Sequence, residues 1–419
     1  MLKQILEFIN KLNPTISIQA PSRINLINPL DAVEGDFWMP SVAINGKNNP
    51  LSAFIYIKSR EQDSILKSYS IYDKVGKFNI KIKHEEKIAK YKTKPEEKLN
   101  GESKLFYASV YRLIKTYSIF WEKFKNNNFE FGMLTTIPPQ SGLGGSAALI
   151  IAILYGFAKY FNLYKNLKCL KENEFPINRD IIAELATKVE DHDLKITAGY
   201  GDRYVISRGG LSFCSYSGKL HHKKISLEPL AIYDRIDSLY DIHNLPIIIC
   251  FSGVSHDSGN VHKKLRKSYL LKDPFILDGY RNLAEISWKS RFAIMKQDWK
   301  LLGDYFKENT IIMNKIMKYV GFRHGIGLSN NILIKLIENH PDVFSVKLTG
   351  AGGGGSVFAL VKPNKIRVVL RDWEKNLSKI INDKAIFLSL FPEYPLDIRE
   401  ELKKAQFFKI KIVSGVKKL

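Results

Sequence analysis

Apolar and polar positions change rhythm several times along this chain of 419 residues. Residues 1–14 set Lys3, Glu7 and Lys11 among apolar positions, which predicts a small amphipathic helix and not a signal peptide. Between 19 and 57, short apolar runs alternate with polar turns, as in QAPSRINLINPL and DFWMPSVAIN, and predict strands joined by loops. Residues 63–83 predict a further strand pair. The charged stretch 84–104 predicts an exposed, mobile connection. Leu105, Val110, Leu113, Ile114 and Tyr117 share one helical face, so a helix is expected over 105–124. FEFGMLTT (129–136) alternates like a strand. SAALIIAILYGFAKYF (146–161) is apolar nearly all round and predicts a buried helix. Another helix is expected over 179–193, then a glycine-punctuated strand region in ITAGYGDRYVISRGGLSF (196–213). Near residue 230 the character changes. NLPIIICF (244–251) opens a second domain, with helices over 276–320 and 329–339, and VFSVKL (343–348) and SVFALV (356–361) flank a glycine loop as strands. No internal repeat is visible.

Composition narrows the class. The length suggests two or three domains, and 45% hydrophobic with 25% charged residues is ordinary for a folded chain. The longest apolar run, Ala147 to Ala158, stops at Lys159, too short to span a bilayer. Cys169, Cys214 and Cys250 are far apart, with no CxxC pair, and the nine histidines show no HExxH spacing. A reducing, cytoplasmic location follows as the expectation. The net charge of +22 is spread along the chain and forms no basic block. It therefore reads as a lysine-rich surface, with neither a nucleic acid nor a membrane as partner.

Candidate chemistry concentrates in Pro138–Ala148, PPQSGLGGSAA, between the strand and the buried helix. Gly142, Gly144 and Gly145 remove three side chains in four residues, so backbone N–H groups can approach a phosphate at the positive end of a helix. Ser146, in the first turn, can reach a phosphate or a metal. The chain has no GxxxxGK[ST], and its one GxGxxG (Gly350, Gly352, Gly355) precedes strand-like residues and not a helix, which excludes the dinucleotide reading.

PPQSGLGGSAA resembles the PxxxGLGSSAA phosphate loop of the GHMP kinases, the superfamily of galactokinase, homoserine kinase, mevalonate kinase and phosphomevalonate kinase. Two further blocks stand in the family's order. APSRINLIN (20–28) with MPSVAIN (39–45) is similar to the N-terminal block, and KLTGAGGGGSVFAL (347–360) to the C-terminal glycine loop. NPLDAVEG (28–35), AGYGDRYVISRGGLSF (198–213) and the Asp257, Ser258, Gly259, Val261, His262, Arg266 spacing are similar to the glucuronokinase branch. Gly145 departs from the usual serine, and Met313–Phe322 lacks an NFDLRR-like motif.

The resemblance implies an α+β chain of two domains. The N-terminal domain, 1–230, is expected to be ribosomal-S5-like and the C-terminal domain, 231–419, ferredoxin-like, with the active site in the cleft. It implies ATP with Mg²⁺ as cofactors. Pro138, Ser141, Gly142, Leu143, Gly144, Gly145, Ser146 and Ala147 would bind ATP. Asp202 matches the catalytic aspartate, and Arg23 the basic residue that holds it ionised and stabilises the transferring group. Ser146 and Glu190 match the metal contacts, although on residue type Asp191 or Asp193 serves equally. Asp31, Lys347, Thr349, Gly350 and Gly352 are expected at the substrate. Arg266, or Lys263 or Lys264, would meet a carboxylated sugar. The expected acceptor is the anomeric hydroxyl of a sugar, a uronic acid such as glucuronate. The alternatives are a neutral sugar, mevalonate, or an inactive binding protein of the same fold.

Overall fold

Short apolar-rich runs, buried on both faces near the middle, build the first sheet, in a computed structural model that describes residues 1–31, 37–47, 50–74, 77–165, 177–216, 231–255 and 258–419. Its strands are β1 (Ile16–Asn25), β2 (Phe37–Ile44), β3 (Ser52–Ser59), β4 (Ile65–Lys74), β5 (Lys77–Lys87), β6 (Phe129–Thr135), β7 (Leu211–Tyr216) and β8 (Ala231–Arg235). They lie in the order β5-β4-β6-β3-β1-β2-β7-β8. The β4–β6 pair is parallel and the others antiparallel. Six helices accompany these strands: α1 (Leu2–Lys11), α2 (Lys104–Thr116), α3 (Ser118–Asn126), α4 (Gly145–Tyr160), α5 (Arg179–Lys188) and α6 (Gly201–Arg208).

The core of this half forms because α4 has no polar face. Ile150, Ile151, Leu154 and Phe157 are buried in one cluster with Ile18 of β1 and Ile55 of β3. Gly156 lets the helix descend onto the sheet, since a Cβ there would stand 2.6 Å from Ile55 Cδ1. Phe157 stacks on Phe131 at 5.1 Å between ring centres, and Phe106, Phe120 and Phe124 close around it. Truncating so enclosed a ring costs about 3–5 kcal/mol. The amphipathic α1 buries Ile5 and Ile9 on Phe54, Tyr56 and Leu134.

The short α7 (Ile236–Leu239) leads to the second half: β9 (Ile247–Phe251), α8 (Ser258–Leu270), α9 (Pro274–Met295), α10 (Trp299–Tyr319), α11 (Leu328–Lys335), β10 (Val343–Thr349), β11 (Ser356–Val361), α12 (Ile366–Asn382), α13 (Lys384–Leu390), α14 (Ile398–Leu402), β12 (Gln406–Lys409) and β13 (Lys417–Lys418). Its sheet runs β10-β11-β9-β12, all antiparallel, while β13 returns to pair with β1. β8 pairs with β7, so the first sheet continues beyond residue 230 to Arg235.

Three expectations change. The region 196–213 is not all strand. Residues 201–207 are all buried in the short helix α6, with Tyr200 buried at its cap, and the helix stops where Gly209 (φ 82°) and Gly210 (φ 77°) turn the chain into β7. Tyr117, extended at φ −131°, divides the helix expected over 105–124 into α2 and α3. Part of 84–104 is ordered, as the end of β5 and a 3₁₀ turn over Glu96–Asn100. Asp257, Cys169 and residues 32–35 of NPLDAVEG lie outside the described residues. Cys214 and Cys250 are buried free thiols. Among the described residues no helix is long and apolar enough to cross a membrane.

Candidate active site

β6 ends at Thr135, and the loop 138–144 delivers the chain to the head of α4. Gly142 (φ 71°) and Gly144 (φ 77°) are both left-handed. A Cβ on Gly144 would stand 3.2 Å from both Arg23 Cγ and Ile206 Cδ1. Ala148 N–H begins the helical ladder by donating to the Gly144 carbonyl at 2.9 Å, so the first-turn amides have no acceptor within the helix. No acidic side chain stands in that turn. The helix head is therefore left free for an anion.

Arg23, on β1, fixes this loop and Asp202 together. Its guanidinium grips Asp202 bidentately, with Nε at 2.5 Å from Oδ1 and the second contact at Oδ2, and it donates to the Gly142 carbonyl. Asn25 donates to Asp202 Oδ1 at 2.9 Å, and Arg203 Nη1 lies 3.5 Å from Oδ2. Burial alone would raise the Asp202 carboxyl. The charge and hydrogen bonds of Arg23, with Arg203 and Asn25, overcome it and hold the group at about 2.

After α5 the helix widens into one π-helical turn, Val189–Asp193, which aims three acids in three directions. Glu190 accepts from Ser146 Oγ at 2.5 Å and pairs with Arg203. Asp191 pairs with Arg266 at 2.7 Å and accepts from Ala198 N–H. Asp193 is held by Arg112 at 2.6 and 2.8 Å. Of the three acids, Glu190 is the one that meets Ser146. Two hard oxygens side by side at a helix head fit Mg²⁺, which takes few protein ligands and completes its shell with phosphate oxygens and water.

The substrate-side expectations divide. Asp31 lies beside the segment that carries Asp202, accepting from Gly201 N–H at 2.7 Å. Thr349 Oγ1 accepts from Asn25 N–H at 3.0 Å and joins β10 to β1. Arg266 is not an open cation. It is 8% exposed and holds Asp191 and the Ala198 carbonyl. Lys347 does not reach the charged cluster. Its ammonium donates to the Leu348 carbonyl and lies over Phe358 and Phe306, and burial pulls it down to about 7. Gly350 packs on Gly142, but Gly352 faces Leu348, Met317 and the Ile326 carbonyl within the second half. The motif reading gave no role to Asn25, Arg203 or His262. The signal for Arg203 was its place next to Asp202. Burial pushes the His262 imidazole down to about 3, with Arg266, Arg203 and Arg23 adding to that and Asp202 opposing it.

Residues 108–210 match the GHMP kinases N terminal domain, and residues 293–379 the GHMP kinases C terminal domain. The chain carries the N- and C-terminal domains of the GHMP kinases. Kinases of this family take phosphate from ATP and transfer it to a hydroxyl group. This one is 26% identical over 280 residues to D-glycero-alpha-D-manno-heptose 7-phosphate kinase of Campylobacter jejuni, covering 64% of this chain and 71% of that one. It is 25% identical over 279 residues to glucuronokinase 1 of Arabidopsis thaliana, covering 64% and 70%. Its fold matches that of Lactococcus lactis galactokinase complexed with galactose, with a TM-score of 0.63 at 17% identity over 96% of this chain and 95% of that one. It also matches Methanococcus jannaschii mevalonate kinase, with a TM-score of 0.59 at 17% identity over 95% and 98%.

Proposed function

We propose that this GHMP kinase transfers the γ-phosphoryl group of ATP to the anomeric hydroxyl of a sugar, with a uronic acid such as glucuronate as acceptor. One observation carries the reading. The open helix head of α4, the Ser146–Glu190 pair and the ionised Asp202 are tied into one cluster by Arg23 and Arg203. Such a cluster argues against an inactive binding protein. Similarity to a glucuronokinase and to a heptose phosphate kinase supports a sugar as the acceptor.

The first-turn amides of α4 receive the phosphates of ATP. Ser146 and Glu190 would hold Mg²⁺, whose charge screens the β- and γ-phosphates when it is bound. The acceptor oxygen forms its bond to γ-phosphorus as the bond to the β-phosphate oxygen breaks, and ADP leaves. The acceptor proton passes to Asp202. A carboxylate held at about 2 is a weak base, so the proton moves late, and the relatively acidic anomeric hydroxyl suits it. Arg23 keeps Asp202 charged and the phosphate loop in place beside it.

A neutral sugar is the second reading. It is favoured because Arg23, Arg203 and Arg266 are each already paired with a carboxylate. Competition among glucuronate, galacturonate, galactose and mevalonate under ATP and Mg²⁺ decides. Preference for glucuronate is the expected result. Preference for galactose overturns the uronate and leaves the sugar kinase, and preference for mevalonate overturns the sugar.

A further inference from the structure

Along the sequence the positive charge is spread, but the fold gathers part of it on one face of the second half. From Ser258 to Lys272, through α8 and the turn after it, the chain holds no acid, and from Asn309 to Val320, at the end of α10, it holds none either. On α8 the exposed residues Lys263, Lys267, Leu270 and Leu271 stand at i, i+4, i+7 and i+8, so they share one side of the helix. On α10 the exposed residues Ile311, Lys315, Lys318 and Tyr319 repeat that spacing. Contacts join the two stripes. Phe275, in the first turn of α9, stacks on Tyr319 at 4.5 Å between ring centres, and Lys264 Nζ lies 4.6 Å from the centre of the Phe322 ring. Tyr319 Oη donates to Asp273 at 2.9 Å, so the acid at this junction is engaged, and it also caps α9. Asp278, one turn further on, accepts from Asn282 at 3.1 Å. None of Lys263, Lys267, Lys272, Lys315 and Lys318 pairs with an acid among the described residues. Leu271 is 73% exposed, the highest value among the large apolar residues described, and Leu270, Phe275, Ile311 and Tyr319 are about half exposed. Single exposed apolar side chains are common, but a joined group of them set among unpaired lysines marks an interaction surface.

We infer that this face, the outer side of α8 with its following turn and the end of α10, docks the protein on a membrane surface of anionic phospholipid. The residue types divide the work. Leu270 and Leu271, at the end of α8, enter the boundary between headgroups and acyl chains together with the edge of the Phe275–Tyr319 stack. The lysines around them keep their ammonium groups at the level of the phosphates while their stems lie along the apolar layer. Other occupants fit less well. A second copy of the chain would bring one unpaired lysine cluster against another, and like charges repel. A single-stranded nucleic acid gains from stacking its bases on open rings, whereas leucines offer no ring face and Phe275 and Tyr319 already stack on each other. The opposite side of α8 holds Arg266 against Asp191, so the surface lies on the far side of that helix from its contact with the first half. The inference is independent of which acceptor the kinase uses.

The test is co-sedimentation of the full chain with vesicles of phosphatidylcholine, alone or mixed with phosphatidylserine. Four proteins are compared: wild type, the pair Leu270→Ser with Leu271→Ser, the triple Lys267→Gln, Lys315→Gln and Lys318→Gln, and a control triple in the first half, Lys11→Gln, Lys47→Gln and Lys58→Gln. All the replaced residues are exposed, so thermal midpoints should stay within a few degrees of wild type and show that each variant is folded. Wild type should sediment with the mixed vesicles and not with phosphatidylcholine alone, and should be released as salt rises from about 0.1 M to about 0.5 M. Each lysine at an anionic surface strengthens partitioning about fivefold, so the patch triple should lose about 10²-fold and the control triple much less. The leucine pair should lose about tenfold, because its share is buried apolar area and not charge. Equal losses in the two triples would reduce the effect to the chain's overall charge and overturn the inference. So would equal binding to both vesicle types, or none to either. Tighter retention on single-stranded RNA, with the leucine pair unaffected, would assign the face to a nucleic acid instead. A concentration-dependent dimer of wild type that the leucine pair abolishes would assign it to a second copy.

Discussion

Two glycine loops touch at the centre of the molecule, and they differ in what their amides do. The loop over 138–147 ends in α4, and its first-turn N–H groups have no acceptor in the helix. The loop over 350–355 joins two strands, and two of its amides are engaged within the second half. Gly353 N–H donates to the Ile326 carbonyl at 2.8 Å, and Gly355 N–H to the Val254 carbonyl at 3.0 Å. Gly350 packs on Gly142, and Ser356 Oγ donates to the Ser141 carbonyl at 2.7 Å. The second loop is thus a buttress for the first. Glycine content does not separate a phosphate cradle from a support. The element that follows the loop does, because only a helix leaves a cluster of amides open.

The largest effect is expected where the cradle itself is filled. Gly144→Val forces a branched residue into a left-handed conformation against Arg23 and Ile206, and should remove measurable ATP binding by calorimetry while the circular dichroism spectrum stays native. Retained nucleotide affinity would mean that phosphate lies elsewhere.

Next comes the charge that the cradle positions. Asp202→Asn preserves shape but takes no proton, so kcat should fall about 10²–10⁴-fold with ATP affinity little altered. Asp202 also links stability to acid. Its folded value near 2 lies below the ordinary value of about 3.9, so its contribution is complete above pH 4 or so and disappears as pH falls toward 2. Denaturant titrations at pH 3 and pH 5 should show this loss in wild type and a smaller one in Asp202→Asn.

The buttress should matter less. Gly350→Ala places a methyl 3.1 Å from Gly142 Cα at φ 83°, and should weaken ATP binding by about tenfold by shifting the cradle. A loss as large as that from Gly144→Val would erase the distinction between the loops.

Smallest is a change in stability. Lys347, pulled down to about 7 by burial, binds a proton more weakly folded than unfolded, where its value is about 10.4. Between these values the unfolded chain holds more protons, so wild-type stability rises with pH across that window. Lys347→Met should raise Tm by about 5 °C below pH 7, with the gain shrinking toward pH 10. A pH-independent gain would place the lysine in a wetter site.

How much of this was legible depended on range. The helix α4, the loop before it and the strands around them follow from local pattern and from the family blocks. The helical turn at Asp202 did not, because the β-prone run Tyr204–Ile206 between glycines passes for a short strand. It folds as α6 through burial of Tyr200, Tyr204 and Ile206 among distant residues. Arg23 meets Asp202 across 179 positions, and no spacing rule forecasts its bidentate grip. Arg266 and Lys347 carried the right charge for a substrate contact. Only the fold shows one bound to Asp191 and the other enclosed by phenylalanines.

The most direct test follows phosphorus. The enzyme is incubated with ATP and the preferred sugar, with and without Mg²⁺, and the products are read by phosphorus NMR. With Mg²⁺, an anomeric sugar phosphate resonance should grow in step with ADP, and Asp202→Asn should suppress both. Formation of ADP and inorganic phosphate without a sugar phosphate, or of a sugar phosphate at a non-anomeric position, would contradict the account.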